Sequence, residues 1–348
     1  MNDQIFDELE DWDEIPGIRN MPHRKAGPGK VRTEKKGKKT AQDVKQFVAM
    51  QNEASQTFDF SYHASRHEHE WITNSLGGFY DMHWLDDVLR LLKGGKEANV
   101  YQCLANESVQ GLEQPYLAAK VYRPRRFRNL KNDQMYRENR AHIDGDGRYI
   151  IDDGMLHAIR KRTAFGLELL HTSWIEHEVK TMQILAEASC DVPQVHASGN
   201  NAILMTYIGD EHMPAPTLNS IDLDPDEAQP LYERVLSNVE KMLSVQRVHG
   251  DLSAYNILYW EGEITLIDFP QAIDPNQNSN AYRIFERDLL RVCEYFHHQG
   301  VATRPHQLAA ELWTAFGHRL SPDVDPRLLD DQDDADRAFW EKMKNAAR

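Results

Sequence analysis

The sequence predicts an α+β protein: a twisted antiparallel sheet with one accompanying helix in the N-terminal half, then a mainly helical half. Three observations predict it. An apolar run with a glycine turn, ANVYQCL…QPYLAAKVYRP, reads as two adjacent strands, with Lys120 inside the second. TSWIEHEVKTMQILAEASC carries a helical stripe at Trp174, Ile175, Val179, Met182 and Leu185. After NAILMTYIG, a further strand, most apolar segments have helical spacing, broken by one short hairpin around Gly262.

Each element follows in order. Residues 1–58 open acidic (Asp3, Asp7, Glu8, Glu10, Asp11, Asp13, Glu14) and turn basic through HRKAGPGKVRTEKKGKKT. Such a stretch buries too little apolar surface to offset its ordering entropy, so a disordered tail is expected. Its basic part, 23–45, is also a candidate RNA-binding arm. Order is expected from about Phe60. Trp84, Leu85, Val88, Leu89 and Leu92 predict a helix over 84–92, ended by Gly94 and Gly95. Residues 124–160 are highly charged and predict a mobile insertion with some helix; Arg123, Arg125, Arg126, Arg128 and Lys131 could meet phosphate or RNA there, although a solvated loop explains them equally well. An acidic helix start is expected at DPDEAQ, then a long amphipathic helix from Leu231 to about Val245. Another is expected in NAYRIFERDLLRVCEYFHHQG, and further helix with an acidic loop in the last fifty residues. The domain reading is a tail at 1–58, N-terminal helices and a sheet-bearing lobe at 59–210 with the insertion at about 124–160, and a helical lobe at 211–348.

Composition bounds the function. The chain has 348 residues and a formal net charge of −15, which argues against the whole surface coating nucleic acid. Its three cysteines, Cys103, Cys190 and Cys293, are far apart and form no CxxC pair, which fits a reducing cytoplasm rather than a disulfide framework. The N-terminus lacks the apolar core of a signal peptide. No apolar run approaches the ~20 residues that cross a bilayer, so no membrane partner is expected.

The chemistry concentrates in HGDLSAYNILYWEGEITLID. Asp251 and Asn256 stand in D-x4-N spacing on a loop, and the hairpin that follows returns Asp268 to the same edge. Mg²⁺ prefers carboxylate and amide oxygens. A phosphoryl-transfer site needs such ligands, a group that orients the attacking oxygen, a cation on the phosphates and backbone amides around them. Lys120 is costly to bury without a partner, and Glu178 on the next helix is the natural one. Each residue alone also has a structural explanation, since Asp and Asn are common in turns; the set of five makes coincidence improbable. HASRHEHEW brings His63, His67 and His69 together, but it is not HExxH and no cysteine or further ligand is nearby, so a metal site is not expected there. KGGKEA does not satisfy a Walker loop.

KGGKEANVY (93–101), LAAKVYR (117–123), WIEHEVKTM (174–182), LMTYIG (204–209), HGDLSAYNIL (249–258) and LIDFPQAID (266–274) together resemble the RIO-family atypical serine/threonine protein kinases, nearest the RIO1-like branch of prokaryotic type. The resemblance implies a two-lobed protein-kinase-like fold that uses ATP and Mg²⁺, with Mn²⁺ as a substitute, and lacks the activation loop and substrate subdomains. It implies that Gly95, Lys96, Glu97, Ala98, Asn99 and Val100 cover the phosphates. Lys120 would contact the phosphates and pair with Glu178. Met205 would sit behind the adenine, with the backbone of Tyr207 and Ile208 at its edge. Asp251 would be the catalytic aspartate, Asn256 and Asp268 the metal ligands, and Ser253 a phosphate contact. It also implies a phosphoaspartate at Asp268, hence ATPase-like cycling beside protein phosphorylation, and a small-ribosomal-subunit partner. Phe269-Pro270 replaces the Phe-Gly of ordinary kinases; proline fixes φ, so this loop is expected not to flip. The run from Asp268 to NAYRIFERDLL is too short for a peptide-docking platform, which leaves the protein substrate undefined. Two alternatives stand beside this reading: a small-molecule phosphotransferase of the aminoglycoside or choline type, and a kinase-shaped RNA-binding scaffold.

Overall fold

A computed structural model describes residues 58–123, 136, 138, 140–199 and 201–320. The tail expected at 1–58, apart from Phe58, lies outside them, as do most of 124–139 and everything after Leu320. The chain divides into two compact units, 1–93 with 100–117, and 94–99 with 118–348.

In the first unit, helix α1 (Arg66–Asp81) starts where the Ser65 hydroxyl accepts the amide of Glu68, and it buries Ile72, Leu76 and Phe79. Strands β1 (Leu85–Gly94) and β2 (Ala98–Ala105) follow. The helix expected over 84–92 is therefore a strand. Over nine residues LDDVLRLLK fits either period, and pairing decides the outcome. His83, at φ +58°, ends the helical path, and the Val88 carbonyl accepts the Tyr62 amide at 3.0 Å. Within the histidine-rich segment, Glu68 is buried and accepts the Tyr101 hydroxyl at 2.8 Å, and His69 stacks on Phe60.

The second unit contains the candidate site residues apart from Val100. Strand β3 (Tyr116–Tyr122) ends in it, with every residue after Tyr116 buried. Helices α2 (Asp153–Lys161) and α3 (Ala164–Glu187) follow. They approach so closely at Gly166 that a Cβ there would lie 2.0 Å from the Ala158 carbonyl oxygen. The helix expected around 174–182 is the middle of α3, and α2 is the helix expected inside the charged insertion. Strands β4 (Val195–Gly199) and β5 (Ala202–Thr206) pair antiparallel, Val195 opposite Met205. Within this unit β5 lies between β3 and β4.

Helix α4 (Pro225–Ser244) begins at the expected acidic start, with proline at its first position and Asp226 and Glu227 in its first turn, a favourable start for both backbone and dipole. The hairpin of β6 (Ile257–Trp260) and β7 (Glu263–Leu266) turns through Glu261 and Gly262, both at positive φ, which suits the twist of the two strands. Helices α5 (Ala281–His298) and α6 (Pro305–Ala315) are the last described elements, α5 burying Ile284, Phe285, Leu289, Val292 and Phe296. No described helix is long and apolar enough to cross a membrane.

Candidate functional site

Lys120 lies on β3 with its side chain 10% exposed. A buried ammonium needs partners, and Lys120 Nζ has two at 2.6 Å: Glu178 Oε1 on α3 and Asp268 Oδ1 after β7. Burial alone would lower its pKa; Asp268 and then Glu178 outweigh that and hold it above the ordinary lysine value, so the cation persists. The second Glu178 oxygen accepts the Tyr122 hydroxyl. Tyr122 stands two residues beyond Lys120 on the same strand face, and its ring packs edge-on against Trp174. Glu178 is almost fully buried, whereas the Asp268 side chain is 45% exposed.

The loop HGDLSAYN is held from below. Gly250 has φ +83°, and a Cβ there would lie 2.2 Å from the Gln271 carbonyl oxygen, so only glycine fits. Its amide donates to Asp288 Oδ2 at 2.8 Å and its carbonyl accepts from Arg287, both on α5. Burial pushes Asp288 up to about 6, against the opposing pull of Arg287 and the Leu252 and Gly250 amides. His249 donates from Nε2 to the Ile267 carbonyl at 3.1 Å and accepts the Asp251 amide at Nδ1, 3.3 Å away. Burial holds this imidazole below its ordinary value, opposed by the nearby Asp268 and Asp251 carboxylates. Asp251 Oδ1 pairs with Arg291 Nη1 at 2.7 Å. Asn256 Nδ2 donates to the Asp251 carbonyl at 2.9 Å, and the Asn256 carbonyl accepts the Ile267 amide at 3.0 Å. One strand of bonds thus links Asp251, Asn256 and the residue before Asp268. Ser253 starts the short turn that carries Asn256, its carbonyl accepting the Asn256 amide at 2.9 Å.

Asp268 has φ +73°, a left-handed backbone that aspartate tolerates better than most residues. Phe269 is buried and lies 4.7 Å from the His249 ring. Arg140 donates to the carbonyls of Pro270 and Ala272. Residues 269–280 alone separate Asp268 from α5, so no peptide-docking subdomain lies between them.

The turn 94–99 is tied to β3 by Arg123, which donates through Nε to the Gly95 carbonyl at 2.9 Å and through Nη2 to Asn99 Oδ1 at 3.2 Å. Arg123 is therefore a brace for this turn and not part of the charged insertion. A Cβ on Gly95 would lie 2.8 Å from the Ala98 carbonyl, so the turn is tight. Lys96 is exposed, Gly95, Glu97, Ala98 and Val100 are half-buried and Asn99 is buried. Met205 is buried at the end of β5. Tyr207 donates its hydroxyl to the Asp210 carbonyl at 3.0 Å, and the Ile208 carbonyl accepts the Ala215 amide at 2.9 Å.

The donor set fits a cation shared with phosphate. Among the described residues, no group of three or more His, Cys, Asp and Glu could hold a metal unaided. Asn256 donates through its nitrogen, which leaves its amide oxygen available as a hard ligand; with the Asp268 carboxylate it would offer the one or two protein oxygens that Mg²⁺ typically takes before completing its shell with water and phosphate.

Sequence reading missed Tyr122, Arg287, Asp288 and Arg291. Period-two spacing from Lys120 points to Tyr122. Asp288 was also discoverable: it falls on the buried helical stripe of α5 with Ile284, Phe285 and Val292.

The antiparallel sheet, the helix that carries Glu178 and the mainly helical remainder define a protein-kinase-like fold. A family model described as the RIO domain matches residues 99–308. The chain belongs to the RIO domain family. It is 30% identical over 135 residues to the RIO-type serine/threonine-protein kinase Rio1 of Thermoplasma acidophilum, covering 39% of this chain and 69% of that one. It is 27% identical over 214 residues to the serine/threonine-protein kinase rio1 of Schizosaccharomyces pombe, covering 61% of this chain but 38% of that one. Among solved structures, the Rio2 kinase–ADP/Mg²⁺–phosphoaspartate complex from Chaetomium thermophilum aligns with a TM-score of 0.47 at 19% identity, over 88% of this chain and 86% of that one.

Proposed function

We propose that this protein is an ATP- and Mg²⁺-dependent serine/threonine kinase of the RIO1-like, prokaryotic type. The observation that carries the proposal is the buried Lys120, held at 2.6 Å by both Glu178 and Asp268. A structural ion pair needs one carboxylate; a lysine held between a buried and a half-exposed one is poised to exchange the second for phosphate. When bound, ATP would supply the transferable phosphoryl group and Mg²⁺ would neutralise its charge.

This chain's own residues do the rest. Glu178 fixes the direction of Lys120 toward the phosphates. Asn256 and Asp268 hold the cation. The turn from Gly95 to Val100 covers the phosphates with backbone amides, and Ser253 adds a hydroxyl. Met205 packs on the purine; the Ile208 carbonyl is already engaged by Ala215, so the purine edge meets the remaining backbone groups of Tyr207 and Ile208. Asp251 accepts the hydrogen bond of the attacking hydroxyl, which it must share with Arg291. The half-exposed Asp268 carboxylate is also accessible as an acceptor, which supports phosphoaspartate formation and ATP hydrolysis as a second output of the same site.

The basic stretch 23–45 supports contact with RNA or a ribosomal subunit. The three cysteines, all buried and unpaired, support a cytoplasmic location. Turnover of radiolabelled ATP, with and without ribosomal subunits, tests these readings when free phosphate and labelled protein are followed together. Labelled protein supports kinase output and free phosphate alone supports ATPase output. Turnover that requires an amino-alcohol or aminoglycoside acceptor would replace both with a small-molecule phosphotransferase.

A further inference from the structure

The second unit holds another concavity, of about 280 Å³, that shares no residue with the Lys120 cluster. Arg140, Lys180 and Arg247 line it with cations, Glu138 and Asp274 with carboxylates. The two signs are engaged differently. Glu138 accepts the Ser279 hydroxyl at 2.7 Å, the Ser279 amide at 3.2 Å and the Asn280 side-chain amide at 3.4 Å. Asp274 accepts the Asn276 amide and the Gln277 side chain, both at 2.9 Å. Lys180 lies over the Tyr149 ring, 4.4 Å from its centroid, and Arg247 donates to the Gln246 carbonyl at 2.8 Å. Neither cation forms an ion pair among the described residues. Arg140 gives its bonds to the Pro270 and Ala272 carbonyls. Among the described residues the carboxylates thus engage neutral donors, while Lys180 and Arg247 have no ion-pair partner.

His177 in the same wall reports the local field. Its Nε2 donates to the Ala141 carbonyl at 2.6 Å. Burial first, then the Arg140 charge, with Arg247 adding to it, hold the imidazole at about 4.

We propose that this pocket binds a phosphate-class dianion through Arg140, Lys180 and Arg247 and regulates the neighbouring phosphotransfer centre. Its volume lies just below the usual range for small-molecule sites and suits a phosphate-bearing group better than a whole nucleotide. Guanidinium and ammonium groups converging from separate segments match such an anion. The route to the centre is short. Arg140 already grips the backbone two and four residues after Asp268. His177, Lys180 and Thr181 flank Glu178 on α3. A dianion here fixes both segments that hold Lys120. The binding stands on the pocket alone; the regulation rests on the kinase reading.

The test uses the full chain and inorganic phosphate as probe, with binding read by calorimetry and by the ring signals of His177, identified by their loss in His177→Gln. The expected result is saturable binding that raises the His177 pKa, since a nearby anion favours the charged ring. Each lost charge-assisted contact is worth about tenfold in affinity or more, so Lys180→Gln with Arg247→Gln should bind at least that much more weakly. Arg247→Lys keeps the charge and most of the affinity, and melting temperatures confirm that the variants fold. Absence of saturable binding, or equal binding by the double glutamine variant, would overturn the proposal. Two arms identify the source. If the autophosphorylated chain refuses free phosphate and the phosphatase-treated chain accepts it, the occupant is a phosphoryl group on this chain. Equal binding by both forms identifies a free phosphate compound. The binding arm remains readable if no ATP turnover is found, and turnover that phosphate leaves unchanged would remove only the regulatory half.

Discussion

Glu178 and Asp268 lie at the same 2.6 Å from Lys120, yet removing them should have very different consequences. Glu178→Gln takes the charge from a carboxylate whose side chain is 1% exposed. Breaking a buried pair costs about 3–5 kcal/mol, and the low end applies because Asp268 still faces the ammonium. Asp268→Asn removes a carboxylate that is 45% exposed. Water screens that pair, so the loss should be about 1 kcal/mol or less. For a unit of this size, each kcal/mol moves the melting temperature by about 2–4 °C. Thermal unfolding should therefore fall by roughly 6–12 °C for Glu178→Gln and by less than about 4 °C for Asp268→Asn. Phosphoryl transfer should be lost in the Asp268 variant despite its near-native melting. Equal melting shifts, or a larger one for Asp268→Asn, would refute the division into a buried structural partner and a half-exposed exchangeable one.

Gly250→Ala should destabilise by more than about 2 kcal/mol, from left-handed strain plus the overlap with Gln271, and should abolish turnover; near-native urea unfolding would show that the loop can relax. His177 has a folded pKa of about 4 against an ordinary 6.5, so the unfolded chain binds more protons between these values. Stability should accordingly be lost as pH falls from about 6.5 to 4. The neighbouring Glu176, pushed up to about 7 by burial and then by Asp144 and Asp146, contributes the opposite slope, so the wild type minus His177→Gln difference isolates the histidine; no difference in the pH dependence of melting would remove it. Chelation with EDTA should abolish turnover, with Mg²⁺ restoring it, while the melting of the nucleotide-free chain stays unchanged, because one amide and one carboxylate form no self-sufficient metal site.

Much of the candidate site can be read from the sequence because its proposed chemistry is local. Asp251, Asn256 and Asp268 sit on one loop and one hairpin, and a lysine inside an otherwise apolar strand demands a partner wherever the chain folds. The bracing residues were harder to see. Asp288 and Arg287 act through the backbone of Gly250 from α5, a contact made across a long separation that no local pattern encodes, although the charge on a buried stripe left a trace. Arg123 reads as part of a basic insertion until the turn it pins is visible. The 84–92 segment failed for a related reason: its leucines satisfy a helical period, and only the strand beside it shows which period governs.

The proposed role of Asp251 is to orient the acceptor in an ATP-dependent transfer. The most direct measurement compares radiolabelled ATP turnover by the wild-type chain and Asp251→Ala, with nucleotide affinity measured in parallel. Turnover by Asp251→Ala should fall by about a hundredfold or more with ATP binding retained. Unchanged turnover in Asp251→Ala would contradict that role.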